Sequence, residues 1–379
     1  MKIMAGLVLL ALLASGQSDE KTPSPLAEVI RTIGGSVVFL RFSPTGKELA
    51  VVTQFGPGPI LFDTASYSTA RTFPIGMRMV AYSPDGTRIA TAEGNDGSRI
   101  WDAAPKGRPL PIDPQLRLTL HLDQLLQLDT PLQVLQLPSR DSSVRVFRTE
   151  FSPDGKRLIT THANGHVKVW DTSSWAVEGD LTLTDTEVRA AGFAPDSQTL
   201  VIGDIKGVLH HWSFAKKAEV KTTPTSLGAI NGVVFAPDGK TLVTSHQSAS
   251  GPGVMIWDTA SWLAKVKTGV QSAAFSRDGK LLALGGTKID IVEPVSLTQV
   301  RTIELPAFTL RELYSIGPSA SVPNPDEKIP VFVMALAFSA DGNTLAAGCV
   351  DGSVRLVKIN QLFEQTWMCL LTMGARGAK

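Results

Sequence analysis

One short pattern recurs seven times along this chain: an aromatic residue, then Ser or Ala, then Pro-Asp-Gly or a near variant. The copies begin Phe42-Ser43-Pro44-Thr45-Gly46, Tyr82-Ser83-Pro84-Asp85-Gly86 and Phe151-Ser152-Pro153-Asp154-Gly155. They continue with Phe193-Ala194-Pro195-Asp196-Ser197, Phe235-Ala236-Pro237-Asp238-Gly239, Phe275-Ser276-Arg277-Asp278-Gly279 and Phe338-Ser339-Ala340-Asp341-Gly342. Successive aromatic positions lie 40, 69, 42, 42, 40 and 63 residues apart, so four of the six intervals share one period and two carry insertions. A repeat of this length is one supersecondary unit that cannot bury its apolar face alone, and neighbouring units must supply the rest of the core.

Each copy is built around turns. Proline presets φ, aspartate bonds its own backbone and glycine accepts positive φ. The flanking segments read as strands: Arg157-Leu158-Ile159-Thr160-Thr161 follows the third turn, Asn164-Gly165 is a hairpin signal, and Val167-Lys168-Val169-Trp170-Asp171 is the return strand. Trp-Asp closes the unit at Trp101-Asp102, Trp170-Asp171 and Trp257-Asp258, with Phe62-Asp63 and Trp212-Ser213 as weaker versions. Val292-Glu293 and Val357-Lys358 occupy that slot in the last two copies. Three copies share a further echo, Asp63-Thr64-Ala65-Ser66-Tyr67, Asp171-Thr172-Ser173-Ser174-Trp175 and Asp258-Thr259-Ala260-Ser261-Trp262.

Turn, hairpin and Trp-Asp end, at this period, resemble the WD40-repeat family over roughly residues 27–359, in a divergent, bacterial-style secreted form. The resemblance implies an all-β, seven-bladed β-propeller of four-stranded antiparallel blades. The family pattern carries a Gly-His pair before the first strand of each repeat, and that histidine joins a hydrogen-bonded chain with the turn aspartate, a Ser or Thr and the tryptophan. The pair is missing here, and Gly165-His166 lies in a different slot. The blades are therefore expected to lack the full polar chain and to rely on apolar packing.

In such a ring each repeat supplies the outer strand of one blade and the inner strands of the next. Glu28-Val29-Ile30-Arg31-Thr32-Ile33 matches Ala70-Arg71-Thr72-Phe73 and Val300-Arg301-Thr302-Ile303, which sit at outer-strand positions. Residues 27–33 are thus expected to complete the seventh blade beside Val354–Val357, leaving no open edge at the seam. The insertions are residues 103–143 and 307–330. The first holds two period-2 runs, Leu116 to Leu122 and Leu132 to Leu137, of which one is the outer strand of blade two and the other an added arm. Residues 360–379 form an apolar tail with Leu362, Phe363, Trp367, Met368, Leu370 and Leu371.

Residues 1–16 read as a signal peptide: Lys2, an apolar run from Ile3 to Leu13, and small residues at Ala14-Ser15-Gly16. Residues 17–26 are a linker. This predicts export to the periplasm or the extracellular space, with no stable membrane insertion after cleavage. Cys349 and Cys369 are the only cysteines, so a disulfide framework does not carry the fold, although one bridge between them is open. A formal net charge of +1 without a basic stripe excludes nucleic acid as the expected partner.

Catalytic signatures are missing. There is no Gly-x-Ser-x-Gly elbow and no Gly-rich phosphate loop. Repetition explains most aspartates as turn and strand-end residues. Of the six histidines only His162 and His166 have a ligand-like spacing, across a hairpin. No metal, cofactor or catalytic residue is assigned. The expected function is a non-enzymatic protein-protein interaction scaffold presenting loops on one face. The alternative is a secreted propeller enzyme or a small-ligand-binding propeller with its site at the channel mouth. Strand phase puts the residue four before each aromatic near that mouth: Val38, Arg78, Phe147, Arg189, Asn231, Gln271 and Met334. The last six are the candidate partner-binding residues. This set mixes basic and apolar groups without an acid, which suits an acidic or amphipathic peptide.

Overall fold

The computed structural model describes residues 26–31, 35–56, 58–74, 76–93, 97–104, 131–135, 145–249, 251–309 and 326–359. They form seven four-stranded antiparallel sheets. The innermost strands are Val37–Phe42, Met77–Tyr82, Val146–Phe151, Val188–Phe193, Ala229–Phe235, Ser272–Phe275 and Val333–Phe338, in blades one to seven. Neighbouring blades touch all round, and blade seven meets blade one, so the sheets close a ring. Leu26–Arg31 is the outer strand of blade seven, antiparallel to Ser353–Lys358, with Ile30 opposite Val354. The outer strand of blade two comes from the second run of the first insertion, as Gln133–Leu135 beside Gly97–Asp102. The Leu116 to Leu122 run, residues 1–16 and the 360–379 tail lie outside the described residues. No helix among the described residues is long and apolar enough to cross a membrane.

The core lies between blades. Leu40, Leu49, Val51 and Phe62 of blade one pack on Ala335, Ala346, Val354 and Leu356 of blade seven. Ala81, Ala90, Ile100 and Leu135 of blade two meet Phe151, Leu158 and Trp170 of blade three. Close approach demands small side chains at one position of the second strand. A Cβ at Gly203 would fall 2.4 Å from Ile230 Cγ2 of the next blade, and one at Gly348 would fall 2.4 Å from Val37 Cγ1.

The repeated polar residues hold the turns. Ser83 donates to Asp85 at 2.5 Å and accepts from the Arg88 amide at 2.9 Å; Ser152 and Asp154 do the same with Arg157. Asp63, Asp171 and Asp258 accept amide hydrogen bonds from Ser66, Ser174 and Ser261 at 2.7–2.8 Å. Thr64, Thr172 and Thr259 donate to the carbonyls of Gly46, Gly155 and Gly239 at 2.6–2.7 Å. Glu293 replaces the aspartate in blade six and caps the Ser296 amide in the same way. The turns also interlock between blades. Gly155 sits against Pro84, Gly239 against Pro195 and Gly279 against Pro237, and the Asp154 amide donates to Ser197 Oγ at 3.0 Å. One face of the ring is therefore a rim of seven fitted turns.

One expectation needs refinement. A three-residue part of the polar chain, tryptophan, threonine and histidine, is present in two blades, with its histidine on the second strand and not before the first. In blade five Trp257 Nε1 donates to Thr244 Oγ1 at 2.9 Å, and that hydroxyl lies 2.7 Å from His246 Nε2. His246 Nδ1 lies 3.1 Å from the carbonyl of Gly228, just before the innermost strand. Blade three repeats the first two steps with Trp170, Thr160 and His162 at 3.1 and 2.8 Å. Blade two has Trp101 bonded to Thr91 at 2.9 Å.

Candidate partner-binding site

Six of the seven residues placed at the channel mouth share one backbone feature. The inner two strands of blades one, two, three, four, five and seven slip by one residue at the same point, between Val37 and Phe39, Met77 and Met79, Val146 and Arg148, Val188 and Ala190, Ile230 and Gly232, and Val333 and Ala335. The extra residue in each β-bulge is Val38, Arg78, Phe147, Arg189, Asn231 or Met334. A bulge leaves one residue out of the ladder and re-aims its side chain. Gln271 precedes the shorter inner strand of blade six and donates its own amide to the Gly285 carbonyl at 2.9 Å. Val38, Arg78, Arg189 and Asn231 are exposed, and Phe147, Gln271 and Met334 are half-buried.

Neighbouring members of the set touch. The Arg189 guanidinium lies 5.4 Å from the centroid of the Phe147 ring, and Arg145 lies 4.6 Å from it. Phe147 thus contacts two cations, an attraction between charge and ring quadrupole. Gln271 Nε2 contacts Met334 Sδ of the next blade. Arg189 also pairs with Glu187 at 2.9 Å, so part of its charge is already met. The bulges stand where the chain enters the innermost strands, on the face opposite the turn rim. The second insertion enters Val333–Phe338 from this face. Its base is clamped by the Phe308 and Ile329 backbones, which exchange hydrogen bonds of 3.0 and 2.7 Å. Arg355 donates to the Pro306 carbonyl at 3.0 Å while paired with buried Asp351 at 3.0 Å.

Deeper in the ring, Arg41 of blade one meets Glu150 of blade three at 3.2 Å, and Arg148 holds the same carboxylate at 3.0 Å. A contact that skips blade two runs inside the ring. Burial alone would raise the Glu150 pKa; the two guanidinium groups outweigh it, and the pKa is lowered. Glu150 therefore stays ionised at neutral pH, as an ion-pair partner and not as a proton donor.

His162 and His166 take separate partners. His162 is buried on Thr160, whereas His166 lies 2.8 Å from Asp180 near the surface. Among the described residues no three His, Cys, Asp or Glu side chains gather as a metal site. Cys349 is buried, and burial pushes its thiol up to about 12. Cys369 lies outside the described residues.

The bulges and the Arg41–Glu150 pair were not visible in sequence. A bulge adds one residue without disturbing the apolar pattern on either side. The ion pair joins positions more than 100 residues apart.

Seven antiparallel blades, fitted turns and Trp–Thr chains define a β-propeller. The family model for the WD domain, G-beta repeat, matches residues 130–171 and 328–358, so these two regions are similar to WD40 repeats. Protein LST8 homolog of Drosophila melanogaster is 27% identical over 143 residues, 37% of this chain and 39% of that protein. The match thus spans about two fifths of that relative's length.

Proposed function

We propose that this protein is a non-enzymatic interaction scaffold that takes an acidic segment of another protein at the channel mouth, through Arg78, Phe147, Arg189, Asn231, Gln271 and Met334. The observation that carries this reading is the ring of bulges. Six blades spend a ladder position to aim one side chain at the same end of the ring. The family match supports the same class, since propellers of this kind generally bind other proteins. The basic members favour an acidic partner by charge complementarity, which sets specificity and encounter rate more than raw affinity. The leader-like residues 1–16 make export part of the proposal.

The test is reversal of both exposed arginines, Arg78→Glu with Arg189→Glu. Binding of a fluorescein-labelled, glutamate-rich dodecapeptide is followed by anisotropy at low salt. The expected outcome is a loss of at least about tenfold in affinity, together with a flatter salt dependence. Equal binding by parent and variant, with both folded by circular dichroism, overturns the reading.

A further inference from the structure

The channel mouth is divided into sectors. Blades two to four carry the cations Arg78, Arg145 and Arg189, the last two against the Phe147 ring. Blades five and six contribute neutral Asn231 and Gln271. Blades seven and one are apolar, with Met334 and Val38 in the ring. Two further side chains extend the apolar sector outward. Phe55 is 79% exposed, more than any other large apolar side chain among the described residues, and Phe332 is 40% exposed.

These two phenylalanines stand on one piece of backbone. The Val350 amide donates to the Phe332 carbonyl at 2.9 Å. Ser36 Oγ donates to the Val350 carbonyl at 2.9 Å, and the Ser36 carbonyl accepts from the Gln54 amide at 2.9 Å. Gly35 lies under the Phe55 ring, where a Cβ would meet Cδ2 at 3.3 Å. The hydrogen bonds thus fix Phe55 and Phe332 on either side of Ser36, two residues before Val38. Apolar side chains this exposed, gathered on one patch of a folded surface, mark a contact site.

We infer that the partner is an amphipathic acidic segment lying across the mouth, with a large apolar side chain seated on Phe55, Val38 and Phe332 and its carboxylates over Arg78, Arg145 and Arg189. This rests on the acidic-partner reading above and adds a second anchor to it. The argument for the occupant is complementarity on both sides: a purely acidic segment leaves the phenylalanines in water, and a purely apolar one brings the arginine sector no carboxylate beyond Glu187, which already pairs with Arg189. Phe147 joins the two sides, as an apolar ring that lies against the guanidinium groups of Arg145 and Arg189.

The experiment uses the full chain and three labelled dodecapeptides. One carries four glutamates and a terminal Leu-Phe-Leu; a second has that terminus replaced by serines; a third keeps the terminus and has glutamine for glutamate. The variant is Phe55→Ser with Phe332→Ser, at exposed positions whose replacement leaves the fold intact, checked by thermal melting. The parent is expected to bind the first peptide at least about fivefold more tightly than either of the others, the scale of one interface anchor. The double variant is expected to lose that preference over the serine peptide and to bind the serine peptide as the parent does. A parent that binds the first two peptides alike overturns the apolar anchor while leaving acidic capture standing. A parent that binds none of the glutamate peptides overturns the acidic-partner reading itself. Two results assign the patch to other occupants and also overturn the inference. One is a parent dimer that the double variant converts to monomer with peptide binding unchanged. The other is a chain without residues 310–325 that binds about tenfold more tightly than the parent.

Discussion

Thr244 shows how one hydroxyl organises a blade. Its oxygen accepts the Trp257 indole N–H and its hydrogen is available to His246 Nε2, which leaves His246 Nδ1–H for the Gly228 carbonyl. The chain ties two strands and the loop entering the blade. The motif-bearing residues Trp257 and Asp258 were legible in sequence, but the histidine was not, because it lies two residues after the threonine on the same strand. A search for Gly-His before the innermost strand misses it, although it reaches the same loop. Replacing Thr244 with Val keeps the shape and strands two buried polar groups, each at a cost of roughly 1–3 kcal/mol. Thr244→Val is therefore expected to lower stability by about 2–6 kcal/mol in urea unfolding. Thr91→Val in blade two, where the hydroxyl serves Trp101, is expected to lose about 1–3 kcal/mol. Equal losses at the two sites would show that the histidine adds nothing.

At the scale of the strand, the blade is set by three positions that alternate in legibility. The turn was plain, because Pro-Asp-Gly has a local mechanism that works without neighbours. The innermost strand was placed by the aromatic before the turn, and six of the seven residues counted back from it fall in bulges of that strand. The bulge that frees them left no mark in the sequence, and neither did the small-residue seam. Both answer to another strand, and single-chain periodicity does not report a neighbour. The seam is clearest at ring closure, where Gly348 faces Val37. Gly348→Ala forces its new methyl into Val37, and overpacking of this kind costs about 1–3 kcal/mol. Adding Val37→Ala should return part of that loss, so the two changes are expected to be non-additive in thermal melts. A Gly348→Ala variant as stable as the parent would mean that blades seven and one can separate without penalty.

For the ring as a whole, the question is what couples blades that do not touch face to face. Apolar packing links each blade to its neighbours, and the fitted turns do the same on one face. Glu150 does something different: it joins blade three to blade one through Arg41, inside the ring, while Arg148 on its own strand keeps the carboxylate ionised. Removing the charge leaves two guanidinium groups facing each other across blade two. The three side chains are 15–34% exposed, so water screens part of the repulsion, and Glu150→Gln is expected to cost about 1–3 kcal/mol at neutral pH. The pH dependence has a definite sign. The Glu150 pKa is lowered in the folded ring from 4.5, by the guanidinium groups of Arg148 and Arg41 acting against burial. Its contribution is therefore complete above the unfolded value and is lost as pH falls through the lower folded one. The stability gap between parent and Glu150→Gln should be widest at about pH 7 and close progressively below 4.5. Sulfate, by screening the two cations, should narrow it at neutral pH. A gap that stays constant from neutral to strongly acidic pH would mean that the substitution acts through packing, and that the ring is held by its blade faces alone.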